Sequence, residues 1–198
     1  MKKTNMWLQN FIKEFSEVIN NTDIKLFNKI VDEIYQLRKK KGRMFIIGLG
    51  GSAGNASHAV NDFRKLCQIS AFCPLDNVSE FTANLNDYGI ENSIVQYLNV
   101  SKLNKKDMLL VFSVGGGNVS RRSSLQIIEA IKYSKKNKAK VISITGLANG
   151  YAGNNSDINL SVKIDKKKFI TPFAETYQAL IWHALVSHPK LQKKKTFW

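Results

Sequence analysis

The 198-residue chain holds three histidines, and two of them stand at helical spacing from a carboxylate. His58 lies four residues before Asp62, and His183 lies eight residues, about two turns, after Glu175. On α-helices each pair shares one face. Two such helices brought together offer nitrogen and oxygen ligands for a divalent metal. The same groups can instead serve as an acid and a base that move a proton. Spacing leaves both readings open, beside the plain one that these are ordinary surface or core groups. His188, just before Pro189, reads as a helix-end residue without a chemical partner.

A second chemistry sits in glycine-rich turns. Gly48-Leu49-Gly50-Gly51-Ser52 and Ser113-Val114-Gly115-Gly116-Gly117-Asn118 each follow a short apolar run. Glycine lets backbone approach a ligand closely, and amide N–H groups at a helix start bind an anion without a cationic side chain. Gly48 to Ala53 fits the loose dinucleotide pattern, but 68–72 lacks the acidic residue that would hold a ribose. No Gly-Lys-Ser/Thr follows either turn, so a Walker loop is excluded. A small phosphate ester therefore ranks above a nucleotide.

These residues need elements to position them. MFIIGLGG from Met44, DMLLVFSVGGGN from Asp107 and KVISITG from Lys140 read as buried strands ending in glycine. INLSVKI from Ile158 and a short run at 70–74 add two more strands. Helices are expected over 52–66, 78–85, 91–100, 123–136 and 171–186. Two further helices occupy the first forty residues, with Asn21-Thr22-Asp23 offering caps between them. Strands alternating with helices imply a parallel sheet covered on both faces, with ligands bound at the carboxyl ends of the strands. The expected layout is a single domain over 1–198: a helical hairpin to residue 42, a core over 43–188 and a basic segment over 189–198.

Composition narrows the classes. A hydrophobic content of 43% supports a sizeable core, and no apolar run approaches the length of a membrane span. The N-terminus lacks a secretory apolar region, so a cytoplasmic protein is expected. Cys67 and Cys73 form neither a zinc knuckle nor a disulfide framework and read as buried reduced thiols. The formal charge of +15 attracts anions. Its lysines fall in clusters at 39–41, 135–136, 166–168 and 193–195, at apparent helix ends and turns, with no basic stripe interleaved with aromatics. Nucleic acid is accordingly not the expected partner, and a membrane is excluded.

Taken in order, GLGGSAGNASHAVNDF, LNDYG, SVGGGN and ETYQALIWH resemble the sugar isomerase (SIS) domain, and within it the phosphoheptose isomerases. The resemblance runs from about Arg43 to Ser187. It implies an α/β fold, a three-layer αβα sandwich with a five-stranded parallel sheet, assembled as a homotetramer with sites between subunits. It implies a zinc ion in each subunit, with His58, Asp62, Glu175 and His183 at the metal positions. Asp62 and Glu175 stand where the family has Glu and Gln. The implied reaction interconverts a ketose and an aldose phosphate, sedoheptulose 7-phosphate foremost, through an enediol. Asp62 would be the base and His183 the acid. Gly50, Gly51, Ser52, Asn86, Asp87, Ser113, Gly115, Gly116, Asn118 and Ser120 would contact sugar or phosphate. The second glycine loop replaces the family's Ser-Thr-Ser-Gly-Asn-Ser run and carries extra residues. Other relatives of this domain sense sugar phosphates without turnover or act as replication-initiation adaptors, which is the alternative reading.

Overall fold

The computed structural model describes residues 2–164 and 167–196. Two helices lead the chain, α1 (Lys2–Asn20) and α2 (Ile24–Lys39), and the Asp23 carboxylate caps α2 by accepting from Leu26 N at 2.9 Å. Five strands follow, β1 (Arg43–Ile47), β2 (Ser70–Phe72), β3 (Met108–Ser113), β4 (Lys140–Thr145) and β5 (Ile158–Ser161). They form one parallel sheet in the order β2-β1-β3-β4-β5. Between and after them lie α3 (Gly51–Cys67), α4 (Val78–Val100), α5 (Leu125–Lys136), the short α6 (Tyr151–Asn155) and α7 (Ile170–Ser187).

Central strands are buried on both faces, which is why they read as continuous apolar runs rather than alternating ones. Met44 and Ile46 of β1, with Leu110 and Phe112 of β3, face a core closed by α2, α3 and α7. Phe45, Ile47, Leu109 and Val111 face a second core closed by α4 and α5. Chain order reverses between β1 and β3, so the crevice outside their carboxyl ends is where a doubly wound sheet binds ligands. Both glycine turns open there.

Several details depart from expectation. The helices expected over 78–85 and 91–100 form one segment, broken at Gly89, whose φ of 75° and ψ of 165° are not helical. The pentapeptide helix α6 was not expected, since five residues carry too little periodicity to read. The strands at 70–74 and 158–164 are shorter than their apolar patterns. His188 does have a partner: its Nδ1 accepts from Lys190 N at 3.2 Å, and its ring lies 6.3 Å from that of Phe27. The basic segment docks on the domain. Leu191 is fully buried, Leu66 O accepts from Lys193 N and Lys194 N, and Arg38 bonds the carbonyls of Lys190 and Leu191. Lys166 and residues 197–198 lie outside the described residues.

Candidate active site

Helices α3 and α7 lie side by side and run in the same direction. Gly51 meets Glu175, Asn55 meets Gln178, His58 meets Trp182 and His183, and Cys67 meets Val186. One ligand atom each of His58, Asp62 and His183 lies within 4.8 Å of the other two. His58 Nε2 stands 4.0 Å from Asp62 Oδ2, and the two imidazole centroids are 5.6 Å apart. The helices meet here because their apolar faces share one core: Ala56, Ala59, Val60 and Phe63 pack with Tyr177, Ile181, Trp182 and Leu185. That contact carries the polar residues beside it to the rim.

His183 is oriented by two contacts. Its Nδ1 lies 2.8 Å from Ala179 O, and its ring stacks on Trp182 with centroids 3.5 Å apart. A carbonyl only accepts, so Nδ1 carries a proton, which leaves Nε2 as the nitrogen free to bind a metal or move a proton. Such a bond on the second nitrogen is what fixes the tautomer of a metal-binding or proton-moving histidine. The buried Trp182 also sets its ring at a steep angle to that of His58, with centroids 4.6 Å apart. Nothing in the spacing of His58 and His183 announces this wedge, although the Trp-His dipeptide on an apolar helix was its visible trace.

Glu175 is not part of this group. Its carboxylate lies against Gly51, where an added Cβ would stand 2.4 Å from Oε2. His58 is seven residues further along α3, about 10 Å at 1.5 Å per residue. Glu175 thus places its charge at the positive end of α3, whose N-cap, Gly50, provides no side-chain cap. Asn55 Nδ2 braces it, donating to Glu175 O at 2.9 Å and to Gln178 Oε1 at 3.3 Å. Asn55 and Gln178 were missed in the sequence because amides without a charged partner give no signal of their own. Beside them, Ser52 Oγ and Gln178 Nε2 are buried without a hydrogen-bond partner.

The second glycine loop is turned on itself. Ser113 Oγ accepts from Gly116 N at 3.0 Å, and Asn118 Oδ1 accepts from Ser120 Oγ and Arg121 N. Asn118 also pairs with Ser123 in a small antiparallel hairpin. The carbonyls of Gly116 and Gly117 accept from Ala152 N and Tyr151 N and so cap α6. Open space remains in front of Gly50 and Gly115, where an added Cβ would meet nothing within 4 Å. Asn86 and Asp87 are exposed on α4 and bonded to each other at 2.9 Å.

Neither cysteine is poised for chemistry. Both are buried and free, and burial pushes the Cys67 thiol up to about 11 and the Cys73 thiol up to about 12. At neutral pH they are inert thiols.

This sheet order, with glycine turns at its switch point and a histidine and carboxylate group further along α3 and α7, defines the class. Residues 7–146 match the SIS domain family, and the chain belongs to it. Within that class the likeness is to phosphoheptose isomerases. The phosphoheptose isomerase of Buchnera aphidicola subsp. Schizaphis graminum is 28% identical over 159 residues, 78% of this chain and 75% of that protein. The lincomycin biosynthesis protein LmbN of Streptomyces lincolnensis is 31% identical over 156 residues, 74% of this chain but only 56% of its own length. In fold, the phosphoheptose isomerase structure from Francisella tularensis superposes with a TM-score of 0.79 at 23% identity, over 93% of this chain and 95% of that one. Among the described residues no helix is long and apolar enough to cross a membrane.

Proposed function

We propose that this chain is an aldose–ketose isomerase of a sugar phosphate, with sedoheptulose 7-phosphate as substrate and D-glycero-D-manno-heptose 7-phosphate as product. The observation that carries the proposal is the meeting of His58, Asp62 and His183 across α3 and α7, the helix pair whose first member starts at the β1 glycine turn. Family membership and relatives named as phosphoheptose isomerases support it.

The donor set suits zinc. A tetrahedral ion with bonds near 2.0–2.1 Å holds its ligands about 3.3 Å apart. Small side-chain rotations close the observed 4.0 Å between His58 and Asp62 to that separation. His58, Asp62 and His183 would hold the ion and leave a fourth position open. Zinc bound there would polarise the substrate's oxygens. Glu175, two turns before His183, would remain at the α3 terminus and would not complete the ligand set.

Proton transfer falls to the side chains. Asp62 takes a proton from C1 of the ketose while the C1–C2 double bond forms and O2 is protonated, giving the enediol. Return of the proton to C2, with loss of the O1 proton, yields the aldose. His183 has one free nitrogen, Nε2: carrying a proton it acts as the acid, and with its lone pair free it serves as a ligand, so the two roles exclude each other. Gly50, Gly115, Ser52 and Asn118 border the space for sugar and phosphate, with Ser113, Gly116 and Ser120 holding the second loop in shape. Asn86 and Asp87 would join the site from a neighbouring subunit. Met6, Trp7, Leu8 and Ile12 on α1, and Leu85, Tyr88 and Ile90 on α4, are exposed apolar residues that a homotetramer would cover.

The test is direct. Purified protein is incubated with sedoheptulose 7-phosphate, with and without zinc, and the aldose is followed by NMR. His183→Ala and Asp62→Asn should abolish turnover, and no aldose under either condition overturns the proposal. One observation favours a second reading, a sugar-phosphate sensor without turnover: the Ser113 and Ser120 hydroxyls are engaged within their own loop. Binding of the sugar phosphate by calorimetry with no product would establish that reading instead.

A further inference from the structure

The amino-terminal edge of the sheet is opposite the glycine turns, and three helices finish there. Lysines follow each of them: Lys40 and Lys41 after α2, Lys102 and Lys105 after α4, Lys138 and Lys140 after α5. Lys41, Lys102 and Lys138 hold φ of 54°, 52° and 58°. That left-handed conformation strains a side chain, and helix ends usually meet it with glycine. Between these ends lies a depression of about 230 Å³, lined by five lysines (Lys40, Lys105, Lys135, Lys138 and Lys140) and one acid, Asp157.

Two of the five lysines are already paired. Lys135 Nζ lies 2.6 Å from Asp157 and Lys140 Nζ lies 3.3 Å from Glu33. Lys40, Lys105 and Lys138 are exposed and have no ion pair among the described residues. The plain alternative is that these lysines only neutralise helix dipoles. Each carboxyl end carries about half a negative charge, so three ends supply about −1.5. Three unpaired ammonium groups exceed that. The depression therefore keeps a positive potential, and like charges held around one concavity favour a ligand with several negative charges in a short length.

We propose that this depression binds a polyphosphate group, a chain of two or three phosphoryl units. Its lining contains no aromatic ring and no carboxamide to hold a base or a sugar, so recognition is of the phosphoryl chain itself. Inorganic triphosphate and the triphosphate of a nucleotide are then equivalent ligands. A single phosphate brings fewer negative charges to the three unpaired lysines than a phosphoryl chain does. A nucleic acid duplex would need a stripe of cations along its backbone rather than a concavity. The proposal stands independently of the isomerase reading, because binding is measured without turnover.

Calorimetry on the full chain with inorganic triphosphate, ATP and inorganic phosphate tests it. Triphosphate and ATP should bind within about threefold of each other, and inorganic phosphate at least about tenfold more weakly. Lys40→Glu/Lys105→Glu should weaken triphosphate at least about tenfold, while the equal charge change Lys25→Glu/Lys29→Glu, on the other half of α2, should stay within about twofold. All four side chains are exposed, and a thermal melt checks that both variants fold. Four results would overturn the proposal: no heat with triphosphate, equal losses in the two variants, ATP far tighter than triphosphate, or a duplex DNA that binds more tightly with a steep salt dependence.

Discussion

The two glycine turns look alike as sequence and behave differently in the folded chain. In Gly48–Ser52 backbone of Ser52 closes on Gly48, and a carboxylate of the protein, Glu175, rests on Gly51 at the start of α3. At Ser113–Asn118 the approaching group is backbone at two places and a side chain at a third: Gly150 presses on Gly115 O, the Gly116 and Gly117 carbonyls cap α6, and Ile128 lies against Gly117. A run of glycines at a strand end therefore announces a close approach and says nothing about what approaches. In each turn a single glycine, Gly50 or Gly115, is left facing open space.

Substitutions to alanine should separate the two turns, beginning with the most damaging. At Gly150 an added Cβ would stand 2.1 Å from Gly115 O, and backbone on both sides has no cheap way to move. We expect Gly150→Ala to lose about 3 kcal/mol in urea unfolding, at the upper end for overpacking. Gly117→Ala follows at about 2 kcal/mol, since it combines a φ of 85° with a Cβ 2.8 Å from Ile128 Cγ1.

Gly51→Ala meets only the far end of a flexible side chain, and the expected loss is about 1 kcal/mol. The comparison sharpens in a double-mutant cycle: in a Glu175→Ala background the Gly51→Ala loss should vanish. An unchanged loss would mean that Glu175 does not rest there. The smallest stability effect is Gly115→Ala, within about 0.5 kcal/mol of the parent. The same variant should still weaken sugar-phosphate binding, measured by calorimetry, because the methyl fills the open space. Unchanged binding would move the ligand away from this loop.

Much of the fold was legible because its signals are local. Strands buried on both faces appear as apolar runs, Asp23 stands where a cap is needed, and Gly89 marks the break within α4. The site was legible only in part. His58 and Asp62 share one helix, so their proximity follows from a four-residue spacing. His183 joins them only because α3 and α7 pack in parallel and in one particular register. The same register carries Glu175 about two turns away, to Gly51, although its spacing from His183 had suggested a shared site. Asn55 and Gln178, which brace the pair of helices, carry no charge pattern and stayed silent.

The sequence by itself determined the class of fold, the edge of the sheet where a ligand binds and the residue types available there. Period, glycine and capping signals act within a few residues, and a parallel sheet follows from their alternation. Tertiary structure alone decided which of those residues meet. The offset between two packed helices depends on how their apolar faces interlock, and a shift of one turn moves a side chain about 5.4 Å along the axis. That offset put His183 with His58 and Asp62, set Glu175 on the α3 terminus, and left Gly50 and Gly115 facing open space.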